Sequence, residues 1–206
     1  MPLIRKPPSE PPAAAARAPD AAAGARALQH GTDDERWSAA RAAAELEIGV
    51  PTLVEALTRE RVPAVREALF SALVSIASPQ SVAAILPFLR SEDATVRTEA
   101  SDAVLAVKDA AWPHVPALLR DENPDVRILA CGFARDMPRQ AAVSLYCDLL
   151  DADPEANVCA AVAEALAEIG DAAALPALLR CAERFRATPF VAYSLGVAID
   201  RIRSQA

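Results

Sequence analysis

Aromatic side chains are scarce in this sequence. Two tryptophans, two tyrosines and five phenylalanines make up 4% of the 206 residues, too few for the aromatic and β-branched strands of sandwiches and barrels. Histidine is rarer still: His30 and His114 are the only two, and a His-based metal centre lacks its ligands. The four cysteines, Cys131, Cys147, Cys159 and Cys181, lie 16, 12 and 22 residues apart. No CxxC pair exists, so neither a zinc ribbon nor a redox motif is indicated. At roughly one per helix they read as small buried hydrophobes in a reducing compartment, with the cytoplasm as default. No apolar run approaches the ~18 residues of a membrane span, and MPLIRKPPSEPP lacks the apolar core of a secretory signal. The motifs G-x-S-x-G, G-x-x-x-x-G-K-S/T and H-E-x-x-H are all missing. The expectation is a non-enzymatic chain without cofactor or metal.

What the sequence does have is small apolar side chains. Hydrophobic residues reach 53%, and alanine supplies much of that share. Such a composition suits closely packed helices. Acidic residues outnumber basic ones, 28 to 21, for a net charge of −7, which argues against nucleic acid as the main partner. Residues 1–20 hold six prolines among alanines and read as a disordered tail, because proline at that density cannot propagate a helix. Within the tail, Leu3, Ile4, Arg5 and Lys6 pair two large apolar side chains with two cations. They fit a short docking peptide that orders on binding, or an ordinary ragged terminus.

The rest of the chain repeats. The stretch VPALLRDENPDVRILACGFA (115–134) combines a helix end at Arg120, an acidic turn and a helix start at Val126 and Arg127. With Val126 as anchor, equivalent positions are Arg36, Val65, Val96 and Val158, at spacings of 29, 31, 30 and 32 residues. Apolar residues recur four positions on (Ala40, Leu69, Ala100, Ala130, Val162) and eight positions on (Leu73, Val104, Leu166), one stripe on a helix. A second helix is expected after each, near 50–60, 79–90, 111–120, 138–150 and 171–183. A last helix is expected near 189–203, and a lone helix before Asp33 covers the first end, as solenoid ends require. Caps and anions mark the starts: Asp33 and Asp34, Glu92 and Asp93, Asn123 and Asp125, Asp153 and Glu155. Pro63, Pro124 and Pro154 lie near helix starts, and Gly49 and Gly170 read as helix stops. Pro87 falls inside its helix and predicts a kink.

PAVREALFSAL from Pro63, DATVRTEASDAVL from Asp93, NPDVRILACGFA from Asn123 and EANVCAAVAEALAEIGD from Glu155 share a D-x-V-R-x-x-A core. That core resembles HEAT repeats, closest to the short bacterial type also found in phycobilin lyase-like proteins. The resemblance spans about residues 25–203. It implies an all-α fold, an α-solenoid of about five helical hairpins with capping helices at both ends, over residues 21–206. HEAT arrays usually act as protein-binding scaffolds or adaptors through the face formed by the second helices, so a protein partner is implied. The same resemblance implies an alternative, a bilin lyase-like factor handling a tetrapyrrole, with Cys131 or Cys159 touching the chromophore. The His-Glu pairs of HEAT-type deoxyhypusine hydroxylases are absent. Departures from the pattern are Cys159 in place of the arginine and Arg36-Trp37 in place of Val-Arg. A ladder of Arg66, Arg97 and Arg127 with neighbouring carboxylates is therefore expected to stop at both ends.

Candidate contact residues lie on the second helices. Arg59, Arg90 and Arg120 recur six residues before the anchors, and Arg180 closes a later helix. Two roles fit them: a stripe of planar forks for carboxylates or phosphates, or helix ends that offset their own dipoles. Trp112 and His114 open the least generic segment, AAWPHVPALLR. With Phe88 and Tyr146 on flanking helices, Trp112 fits an aromatic interaction patch or a gap filler beside prolines in an alanine-rich core. The partner-binding set read from the sequence is Trp112, His114, Arg90, Arg120, Phe88 and Tyr146.

Overall fold

Helix follows helix through the described part of the chain, and no strand interrupts them. The computed structural model describes residues 20–205; the proline-rich segment and its Leu3–Lys6 motif lie outside them, apart from Asp20, which caps the first helix. In order these are α1 (Ala21–His30), α2 (Asp33–Arg41), α3 (Val50–Arg59), α4 (Pro63–Ile76), α5 (Pro79–Ile85), α6 (Ala94–Ala106) and α7 (Lys108–Ala111). There follow α8 (Val115–Leu118), α9 (Pro124–Arg135), α10 (Arg139–Ala152), α11 (Ala156–Ile169), α12 (Leu175–Arg184) and α13 (Pro189–Gln205). Tighter 3-10 turns at Leu86–Arg90, Trp112–His114 and Ala172–Ala174 extend or open the second-helix segments.

Two layers result. Helices α2, α4, α6, α9, α11 and α13 stack in one layer. The other layer holds α1, α3, α5, α7 with α8, α10 and α12. Five hairpins are thus bracketed by α1 in one layer and α13 in the other. The core lies between the layers, where the anchors Val65, Val126 and Val158 are sealed off with Leu53, Leu69, Leu89, Leu166 and Leu178. Val96 is only half-buried. Its helix α6 buries just Ala100, Ala103 and Val104, against seven residues each on α4 and α11. On the end helix α13, Phe190, Tyr193 and Val197 face solvent.

Local chemistry accounts for the helix ends. Thr32 and Glu35 form a reciprocal capping box at the start of α2, and Ser78 and Ser81 do the same for α5. Asp93 and Asn123 accept from the N–H groups of Thr95 and Asp125 at 2.8 and 2.9 Å. Pro87 lies where α5 tightens into its 3-10 turn, the distortion its missing N–H predicts. Gly170 ends α11 as expected; a Cβ there would come within 2.3 Å of the Leu166 carbonyl oxygen. Gly49 is not a stop. α2 ends at Arg41, residues 42–47 form turns with Glu47 at φ 53°, and Gly49 is the N-cap of α3.

Candidate functional site

Arginine and acid pairs join the repeats at the hairpin junctions. Each hairpin after the first is entered through a turn six residues before the D-x-V-R arginine position, occupied by Glu60, Ser91, Asp121 and Asp153. Three of these are buried carboxylates. Each organises its own turn, accepting from the N–H of Val62, Asn123 or Glu155 at 2.8 to 3.0 Å. The same carboxylates receive an arginine from an earlier repeat. Arg36 grips Glu60 at 2.7 and 3.0 Å, and Arg127 grips Asp153 at 2.6 and 3.1 Å. Arg90 pairs with Asp121. Burial pushes the Glu60 carboxyl up, but the Arg36 guanidinium and the Val62 and Arg61 N–H groups together outweigh it and hold the group below its ordinary value.

Where Ser91 replaces the turn acid, the pattern shifts. Arg66 reaches Glu99 on α6 instead, at 2.5 and 3.0 Å, and Arg97 is left to bind the backbone carbonyls of Ser91 and Glu92. The arginine–carboxylate ladder stops at Cys159 as expected but, contrary to expectation, continues at the first end. Arg36 stands one position early but bonds the Gly31 carbonyl and Glu60 as its counterparts do. At the far end Arg184 reaches back from α12 to the carbonyls of Leu150, Asp151 and Asp153.

The sequence-predicted contact residues differ in exposure and in the partners they already hold. Tyr146 is fully buried, and its hydroxyl donates to the Cys131 carbonyl at 2.5 Å. Its place among partner contacts is corrected: the phenol has an internal acceptor and needs no external one, and burial pushes its pKa up. Phe88 is half-buried, its ring edge-on to Phe70 with centroids 5.6 Å apart. Trp112 and His114 are half-buried, and the Trp112 indole N–H is buried without a hydrogen-bond partner. Arg90 is committed to Asp121, and Arg59 and Arg180 pair with Glu55 and Asp151. Arg120 is exposed and bonds only the Pro116 carbonyl. The arginines of this register therefore join or end helices while their side chains stay half-exposed or more. Cys131 and Cys159, the residues the bilin alternative needs at a surface, are both buried, and burial pushes the Cys131 thiol up to about 12.

Two open grooves lie in the other layer, and a further one of about 480 Å³ lies between α1 and α2. Between α4 and α6 runs a groove of about 650 Å³, floored by Phe70, Val74 and Ala103 and edged by Glu67, Glu99 and Asp102. Glu99 is held by Arg66, whereas Glu67 and Asp102 have no ion pair among the described residues. A second groove of about 440 Å³ lies between α6 and α9, lined by Arg97, Asp125, Ile128 and Leu129. By contrast, the cavity beside Arg120, between α8 and α10, is about 60 Å³. The α4–α6 and α6–α9 grooves flank α6, which buries three residues where α4 and α11 bury seven. Sequence reasoning missed them, although the signal was legible as small and acidic residues at helical spacing: Glu67, Ser71 and Ser75 on α4, Glu99, Asp102 and Ala106 on α6.

A family model of HEAT repeats matches residues 113–187. Two crystal structures of engineered proteins match the chain. One is 20% identical, covering 89% of this chain and 96% of the other, with a TM-score of 0.43. The second is 21% identical, covering 90% and 99%, with a TM-score of 0.44. No curated protein matches the sequence.

Proposed function

With HEAT repeats matched over residues 113–187, we propose that this chain is a non-catalytic protein-interaction scaffold whose partner segment lies in the groove between α4 and α6. HEAT repeats generally serve as such scaffolds. The observation that carries the placement is the groove itself, about 650 Å³ with an apolar floor and two uncommitted carboxylates on its rim. Such a groove fits a partner helix with apolar residues on one face and lysine or arginine at its edges. The chain's net charge of −7 favours the encounter with a cationic segment. Four free cysteines fit a cytoplasmic setting.

The test compares the two layers. Tagged chain is used to recover partners from the native cell in three forms: wild type, Asp102→Lys and Arg120→Glu. Both substituted residues are exposed, so neither should alter folding. Asp102→Lys is expected to lose the partner and Arg120→Glu to keep it. The opposite result would move the binding face to the second-helix layer bearing Phe88, Trp112, His114 and Arg120.

A further inference from the structure

Cys159 stands where the repeat pattern calls for arginine, and the room left by the missing guanidinium is filled from the next helix. Arg184 Nη2 donates to the carbonyls of Leu150 and Asp153 at 2.7 and 2.9 Å. The same nitrogen lies 3.5 Å from Cys159 Sγ and 3.7 Å from Cys181 Sγ. Two free, buried thiols on different helices, α11 and α12, therefore share one hydrogen-bonding nitrogen. The guanidinium is fixed above them by three carbonyls and by the Phe185 ring, 5.0 Å from its carbon. Arg184 itself is exposed, whereas both sulfur-bearing residues are buried beneath it.

We propose that Cys159 and Cys181 are a modification site, a dithiol that a hydroperoxide oxidises to an intramolecular disulfide joining α11 to α12. The Cys159 thiolate attacks one peroxide oxygen. The O–O bond breaks, the departing oxygen takes a proton and leaves as water (or as the alcohol of an organic hydroperoxide), and Cys159 becomes a sulfenic acid. Cys181 sulfur then attacks Cys159 sulfur and gives up its proton, the S–O bond breaks, and a further water leaves. Two thiols are oxidised by two electrons in all, and the peroxide is reduced by the same two.

The roles follow from the surroundings. The neighbouring Cys181 thiol, then the hydrogen bond and charge of Arg184, outweigh burial and hold the Cys159 thiol below its ordinary value, while the Cys159 S–H itself donates to the Asp153 carbonyl at 3.6 Å. Hydrogen bonding to Cys159 and burial push Cys181 the other way, which makes it the resolving partner. Burial and the nearby Asp151 raise Cys147, although it is the least buried of the four. Exposure alone thus selects Cys147, whereas the guanidinium selects Cys159.

The test treats the full, reduced chain with near-stoichiometric hydrogen peroxide, followed by non-reducing digestion and mass spectrometry. The expected product joins the peptides of Cys159 and Cys181 with loss of two hydrogens, before Cys147 is oxidised. In Cys181→Ser, a cyclic diketone probe should capture a sulfenic acid at Cys159. Oxidation of Cys147 first, with Cys159 and Cys181 recovered as thiols, would overturn the proposal, as would a Cys159 crosslink to Cys131. The wild-type measurement stands even if Cys181→Ser folds poorly.

Discussion

At the scale of single residues, the turn acids do more than the arginines that first draw attention. Asp153 is 4% exposed, and it both shapes its turn and neutralises Arg127, whose side chain is 11% exposed. Removing it leaves a guanidinium largely buried without its charge partner, the costly way to break such a pair. Asp153→Ala should therefore lose about 3 kcal/mol, read from the shift in urea midpoint at unchanged slope. Glu60 adds a pH dependence. Its folded pKa is depressed below the ordinary value of 4.5, so its contribution is complete above that pH and is lost as pH falls through the folded value. Glu60→Gln should be less stable than wild type at pH 7, with the gap narrowing in urea titrations below about pH 4.5. The arginine period is legible in the sequence, but the acids they meet are not. Partners lie 24 to 33 residues away, and choosing Asp121 for Arg90 rather than for Arg97 needs the stacking geometry. Tyr146 was misread for the same reason: nothing in its spacing reveals the Cys131 carbonyl beside it.

At the scale of helices, boundaries follow local chemistry closely. Second helices expected near 50–60, 138–150 and 171–183 lie at Val50–Arg59, Arg139–Ala152 and Ala172–Arg184. Caps, prolines and apolar period all act within a few residues, so the sequence carries them. The exception is the segment after Arg41, where ARAAAELEIG reads as continuous helix yet turns before Gly49. Its termination depends on packing, with the Ile48 side chain close over Gly24 of α1. Burial per helix is likewise a tertiary property. Because α6 anchors itself with three buried residues where α4 and α11 use seven, its amides should open more readily. Hydrogen exchange should show α6 protected at least about tenfold less than α4 and α11, corresponding to ~1.4 kcal/mol; equal protection would contradict the packing argument.

At the scale of the whole molecule, the array was legible because each hairpin is local and the pattern recurs. Five hairpins between two covering helices follow from a period of about thirty residues. The small and acidic residues that edge the groove between α4 and α6 were legible, but its width was not, since that depends on how far one helix stands off from its neighbours. A cationic partner held there should dissociate more readily as salt rises from low to physiological strength and beyond, because Glu67 and Asp102 are exposed and screened. Salt-independent affinity, measured by titration calorimetry with the recovered partner segment, would argue for a purely apolar contact.

Ser91 has a mechanical meaning. Every other hairpin entrance after the first carries a carboxylate clasped by an arginine from an earlier repeat, so those joints resist being pulled apart by charge as well as by packing. At Ser91 the clasp is missing, and the load passes through Arg66 and Glu99 higher up the helices. A rod built this way is not uniformly stiff. The joint beside α6 lacks that clasp, so bending the array should concentrate strain there, and the grooves on either side of α6 should widen or narrow more than the two ends.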